Sequence, residues 1–489
     1  MNQTFSKIAR HDATRAPNVL KPFVSIVSRC PRTPPEFVVR FSGQIFRTGL
    51  RTARVIGAHR AMTLADAARA CVPTPADASS DDFASAAFDR LRALRDGARD
   101  LEPARASAIR RTPTNREASG SARLVEEISS DDVAPTSESE SALALLACAA
   151  HGALGDGDVP RWSNARLSAL AAETYDDGFK ARGPDAVIDS FLEAYGRADA
   201  PAAPAASFGA NAESDARAAE IAARQLSWCL ERDELYLGSP SRTREVVAVA
   251  MPRVLRALDY PSEGVRTSGA MSARALSRRA TGFDWRAGPG AVLLDACRSA
   301  LIGASAEVWP HALDVACALT GVVARDAGIE EYRKTFSRAI DCARLRGTET
   351  AYAAPLLASF PNLIRDAKAC VAVHLDRLLP LLCAYMQSHK DDVAVGAASL
   401  VALVVENAWP RARAHCESMW PHVKRAYAEA DGRSAVSCDK LRVELERVVE
   451  LVQLAAGGEF TRVWKSDEDV PAHAVGLVRF LAALPATRA

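Results

Sequence analysis

The stretch "VAVGAASLVALVV" (393–405) carries thirteen residues with no polar side chain except Ser399. A helix that is apolar all round has to be covered on every side, by its own partner and by the next element of a stack. The segment before it behaves differently. Leu375, Leu378, Leu379, Leu382 and Met386 fall at i, i+3, i+4, i+7 and i+11, with Asp376 and Arg377 between them, which predicts an amphipathic helix with one solvated face. An outer helix followed by a buried one is a unit that cannot stand alone.

The unit recurs. In "VVAVAMPRVLRALDYPSEGVRTSGAMSARAL", Pro252 precedes Val265 by thirteen residues, and in "LDRLLPLLCAYMQSHKDDVAVGAASLVALVV", Pro380 precedes Val393 by the same number. Small or apolar residues then match at Gly269/Ala397, Ala270/Ala398, Ala273/Val401 and Leu276/Val404. Leu441, Leu445, Val448 and Val452 place a further stripe on one face. Helix pairs repeated at about 40–47 residues mark HEAT and armadillo arrays. The expected fold is therefore all-α, an α-solenoid of HEAT/armadillo-like repeats over residues 240–457, behind an N-terminal helical region at 142–239 and before a C-terminal tail at 458–489. Pro252 and Pro380 lie deep inside their helices and are expected to kink them.

Tryptophan is followed by proline three times, at Trp309-Pro310, Trp409-Pro410 and Trp420-Pro421. Proline is tolerated in the first helical turn, where its missing N–H has no intrahelical partner to lose. Each pair then reads as a joint between repeats: the proline opens a helix, the indole fills the gap, and its N–H reaches an unpaired carbonyl at the preceding helix end. On this reading Trp409 is a buried packing residue whose removal costs about 3–5 kcal/mol.

The rest of the chain is less regular. Residues 1–61 carry eleven Lys or Arg against two acids, Asp12 and Glu36; this suits an organelle transit peptide, a basic extension, or a protein that starts at Met62. Residues 62–141 are expected to be mostly disordered, with one helix in "DDFASAAFDRLRALRDGARD" carrying Phe83, Phe88, Leu91 and Leu94. The "SSDD" and "SESES" runs there offer acidophilic kinase sites or a solvated acidic linker.

Composition narrows the function. Net charge is +1, so no global field draws the chain to nucleic acid or an anionic membrane. Eleven cysteines are scattered without a Cys-x-x-Cys, which fits a reducing compartment, and no apolar run reaches the ~20 residues of a membrane span. "WRAGPGAVLLDAC" lacks the Lys-Ser/Thr of a phosphate loop and reads as a turn and helix start, while His415, Cys416 and His422 match no zinc spacing. No catalytic, cofactor or metal motif is found, and the chain is read as a non-enzyme. Basic groups such as "RALSRRA" (274–280) and "WPRARAH" (409–415) are solvated helix faces or partner contacts, Arg411 and Arg413 being the partner-binding candidates.

Residues 252–455 resemble the conserved region of the Tti-two family, the Tel-two-interacting proteins of the triple-T co-chaperone complex. The resemblance is carried by "ALDYPSEGVRTSGAM", by "GPGAVLLDACRSALIGASAEVWPHALDVACAL", by "YRKTFSRAI" leading to "ASFPNLIRD", and by the Trp409-Pro410-Arg411 ending of "HLDRLLPLLCAYMQSHKDDVAVGAASLVALVVENAWPRAR". It covers about two fifths of the chain. It implies a scaffold of the cytoplasm and nucleus that binds Tti-one-like and Tel-two-like subunits and helps Hsp-ninety mature the phosphatidylinositol 3-kinase-related kinases. The alternative is a generic armadillo or HEAT adaptor for cargo or transport, which predicts acidic or Trp/Asn ladders on the inner helices.

Overall fold

Residues 393–405 form the middle of a 22-residue helix in the computed structural model, and none of their side chains is exposed. The structure describes residues 64–74, 81–100, 137–154, 157–196, 212–280, 285–286, 288–469 and 472–484. The basic stretch at 1–61 and the "SSDD" run lie outside them.

In chain order the N-terminal helices are α1 (Leu64–Cys71), α2 (Asp81–Asp100), α3 (Ser137–His151), α4 (Ala165–Gly178), α5 (Pro184–Gly196) and α6 (Ala212–Leu230). Next come α7 (Pro240–Leu258), α8 (Glu263–Arg279), α9 (Pro289–Ala300), α10 (Val308–Ala327), α11 (Glu330–Leu345) and α12 (Thr350–Ala367). The last six are α13 (Leu375–Met386), α14 (Asp391–Ala412), α15 (Cys416–Glu429), α16 (Ala435–Ala456), α17 (Gly458–Lys465) and α18 (Val475–Ala483). Among the described residues the sole extended pairing is an isolated bridge between Leu154 and Asp158.

The helices build two layers. α6, α8, α10, α12, α14 and α16 touch one another in that order, while α5, α7, α9, α11, α13 and α15 form the other layer. Over the described residues this is an all-α solenoid of helical repeats. The outer-helix stripe Leu375, Leu378, Leu379, Leu382 and Met386 is buried, and so are Leu441, Leu445, Val448 and Val452. The longest apolar stretches, 350–386 and 391–432, are apolar enough to cross a membrane by composition, contrary to the sequence expectation; 56% of each window is buried within the protein, as in core helices.

Helix α7 runs on through Pro252 and α13 through Pro380; both prolines are exposed, so the carbonyls they leave unpaired face water. A break in the helical backbone lies at Ala408 (φ −115°, ψ 21°) within α14. Two expectations need correction. Residues 458–489 are no mere tail: α17 and α18 bury Phe460, Trp464, Leu477 and Leu481 in the same core as α14 to α16. And residues 62–141 hold a second helix, α1, which packs on α2 and α3.

That N-terminal packing fixes a pH response. His151, the last residue of α3, is fully buried; its Nε2–H donates to the Cys71 carbonyl at 2.7 Å and its ring stacks on Phe83. Burial lowers its pKa to about 4, against the opposing hydrogen bond to Cys71. The folded pKa lies below the unfolded one, so the unfolded chain binds more protons between the two. Stability is intact above about pH 6.5 and falls toward pH 4, by roughly 3 kcal/mol from this group. His151→Gln keeps a donor but does not titrate. Urea unfolding at pH 7 and pH 4.5 should show a smaller acid loss for the variant than for the wild type; equal losses would count against the assignment.

Candidate partner-binding surface

The three Trp-Pro pairs occupy different environments. Trp309 is 1% exposed, and Pro310 is the third residue of α10, inside the expected first turn. The Trp309 Nε1–H donates to the Tyr352 carbonyl at 3.0 Å. That acceptor lies in the first turn of α12, ahead in the chain and not at the preceding helix end. Trp420 is also buried, but its N–H goes to the Asp467 carboxylate at 2.6 Å, and Pro421 sits more than a turn into α15. Both indoles act as joint fillers.

Trp409 does not. It is 58% exposed, against the expectation of burial. The non-helical backbone at Ala408 re-aims the chain one residue earlier, so Ala408 takes the core position and the indole turns outward. Pro410 then opens the last helical stretch of α14, also exposed. Sequence spacing placed Trp409 beside Trp309 and Trp420 because the dipeptides are identical; the φ/ψ change that separates them leaves no mark in residue type.

The neighbourhood of Trp409 is set by α16. Asp391 pairs with Arg433 at 2.8 Å and Glu406 with Arg447 at 3.3 Å, so α14 and α16 run parallel with partners 41–42 residues apart. Trp409 therefore sits level with residues near 450. The exposed face of α16 presents Val443 and Leu454, 62% and 58% exposed. Arg411 is exposed and has no partner among the described residues, whereas Arg413 pairs with Glu459 of α17 at 2.5 Å. An exposed Trp and an exposed, unengaged Arg two residues on, next to a helix that leaves Val443 and Leu454 in water, have the composition of an interface.

Other sequence candidates are engaged in the fold. Arg274 and Arg278 of α8 share Asp314 of α10, at 2.9 and 2.8 Å, and Arg279 holds Asp233. They line a groove of about 1080 Å³ over α6, α8 and α10, but their charge is spent on carboxylates 36–46 residues away. His415 meets Asp376 at 3.5 Å, Cys416 is buried, and the His422 carbonyl accepts from Gln387. Among the described residues no three His, Cys, Asp or Glu side chains converge as a metal site would require. Gly288, at φ 113°, caps α9, whose first residue is Pro289. Burial pushes the Cys71, Cys229, Cys297 and Cys383 thiols up to about 12, the opposite of what a nucleophile needs.

The residue sets that the sequence reading passed over lie on α11, where "YRKTFSRAID" places cations on one helix face. Helical spacing alone contains that signal, but the wall opposite it comes from residues 373–377.

No family model matches the sequence, and a comparison with curated proteins finds no match. Among solved structures the chain is similar to Kap121p bound to Pho4p, at 15% identity and a TM-score of 0.41, over 86% of this chain and 35% of that one. A Kap121p mutant matches at 14% identity and 0.40, over 65% and 30%. Importin beta matches at 12% and 0.34, over 84% and 57%. The chain spans about a third to just over half of the length of these proteins.

Proposed function

We propose that this protein is a non-catalytic adaptor that holds a partner protein against the α14–α16 surface, with Trp409 at the centre and Arg411 beside it. The observation that carries this reading is the exposed indole at the end of an otherwise buried helix. A tryptophan left in water gives up burial that the fold could have taken, and covering it on association recovers that free energy. The finer reading is a subunit of the triple-T assembly, bound to Tti-one-like and Tel-two-like chains and acting with Hsp-ninety on phosphatidylinositol 3-kinase-related kinases. It is supported by the sequence landmarks at 252–455, which end on Trp409, Pro410 and Arg411.

Trp409→Ala should leave thermal unfolding almost unchanged and weaken partner binding by about 2 kcal/mol or more, roughly thirtyfold. Arg411→Glu should act in the same direction without unfolding the chain. Co-expression with a Tti-one-like subunit, followed by affinity capture and titration, checks both. A Trp409→Ala protein that captures the subunit as tightly as wild type would remove the surface from the account. Capture of import cargo in its place would favour the transport alternative.

A further inference from the structure

A second surface lies on the opposite layer, where α11 faces the segment that enters α13. A concavity of about 470 Å³ is walled by Arg333, Lys334 and Arg338 on α11 and by Arg377 across from them. Its carboxylates are Glu330 and Asp341, and both are already paired, with Arg333 at 3.1 Å and Arg377 at 2.8 Å. Lys334 pairs with Glu331, which also meets the buried Arg298, and Arg298 has Asp295 as a second carboxylate. Arg338 is exposed and has no partner among the described residues. Among the cations of the concavity Arg338 alone is left without a carboxylate, beside three arginine and lysine side chains that are already positioned by theirs.

Its far wall is built with care. Lys368 is the non-glycine residue with positive φ among the described residues (φ 51°, ψ −128°), a conformation that side chains rarely adopt. It opens a seven-residue 3₁₀ segment, Lys368–His374, longer than such helices usually run. This segment brings His374 into the core against Phe336 and delivers Arg377 to the concavity. The Arg377 Nη2 donates to Ser337 Oγ and to His374 Nδ1, both at 3.0 Å, while Nη1 holds Asp341. Burial, then the Arg377 and Arg333 guanidiniums, keep His374 below its ordinary range, so the imidazole accepts from Arg377 and adds no repulsion. The guanidinium is fixed before any ligand arrives.

We propose that this concavity binds a phosphorylated serine or threonine on a peptide without flanking acids, the single phosphate lying between Glu330 and Asp341. Guanidinium clusters recognise such groups through paired, charge-assisted hydrogen bonds. The spacing of the carboxylates suits one phosphate group better than a broad polyanion. Glu330 and Asp341 stand eleven residues apart on α11, about 16 Å along the axis, and bracket the cations at both ends. A nucleic-acid backbone or a lipid surface would run over both carboxylates. The net charge of +1 supplies no wider field to offset that repulsion.

The test uses the full chain and fluorescein-labelled Gly-Ala-Gly-phosphoserine-Gly-Ala-Gly, read by fluorescence polarisation. The phosphopeptide should bind at least tenfold tighter than its serine counterpart and be displaced by inorganic phosphate but not by chloride at equal ionic strength. Arg338→Glu should weaken binding at least tenfold with an unchanged thermal midpoint, Arg338→Lys should weaken it less, and Trp409→Ala should bind as wild type. Equal binding of the two peptides would overturn the proposal. So would Arg338→Glu leaving affinity intact, or phosphatidylserine vesicles or duplex DNA binding more tightly than the phosphopeptide through Arg338.

Discussion

Arg298→Ala is expected to lower the unfolding free energy by about 3 kcal/mol, because it leaves the buried Glu331 carboxylate with Lys334 as its remaining counter-charge. Arg298 is 5% exposed and joins three helices. From α9 its Nη1 reaches Glu331 Oε2 of α11 at 2.6 Å and Asp295 at 3.1 Å. Nη2 donates to the Glu331 carbonyl and to Thr335 Oγ1, and Nε also donates to Thr335. Thr335 meets Thr320 of α10 at 2.7 Å. All five guanidinium N–H groups are used. Removing the arginine takes partners from Glu331 and Thr335 together, leaving Lys334 on the one and Thr320 on the other. The paired replacement Arg298→Met with Glu331→Leu should recover most of the loss, since exchanging a buried ion pair for apolar groups of similar volume is often neutral or stabilising. Urea midpoints of the three proteins decide it; an Arg298→Ala midpoint equal to that of wild type would mean the site is open to water.

Trp309→Ala should cost about 3–5 kcal/mol as well, by a different route. The indole fills the joint between α9–α10 and α12. Its ring lies 5.7 Å from that of Tyr352, whose hydroxyl donates to the Ala304 carbonyl at 3.1 Å. Arg346 covers the same Tyr352 ring at 4.8 Å and also donates to Ala304. Truncation opens a cavity at the joint and removes the donor to the Tyr352 carbonyl, so the start of α10 loses its hold on the start of α12. The expected drop in thermal midpoint is large, whereas Trp409→Ala should show almost none. A matched drop for the two would contradict their opposite exposures.

The contrast between these tryptophans shows where sequence reasoning ends. Period and burial were legible: residues 393–405 announced a fully covered helix, and the stripe from Leu375 to Met386 announced an amphipathic one, because 3.6-residue periodicity is a local property of the chain. The helix-pair repeat was legible for the same reason. What one dipeptide does in three settings was not. Trp309 and Trp420 fill joints, while the backbone turn at Ala408 sends Trp409 outward, and alanine adopts either conformation. The basic runs were visible, but their partners were not: Asp314 lies 36–40 residues from Arg278 and Arg274, a separation fixed by how successive pairs stack. Arg411 emerged from its position after Trp-Pro and stays unengaged, whereas Arg413, its twin in sequence, is held by Glu459 of a helix read in advance as tail.

The most direct test of the adaptor surface is amide hydrogen exchange on the full chain, free and bound to a co-expressed Tti-one-like subunit. Protection gained on binding should concentrate at residues 405–413 and on the exposed side of α16 from about Val443 to Leu454, and should vanish with Trp409→Ala. A stable complex that protects other helices and leaves these two segments exchanging as in the free chain would contradict the account.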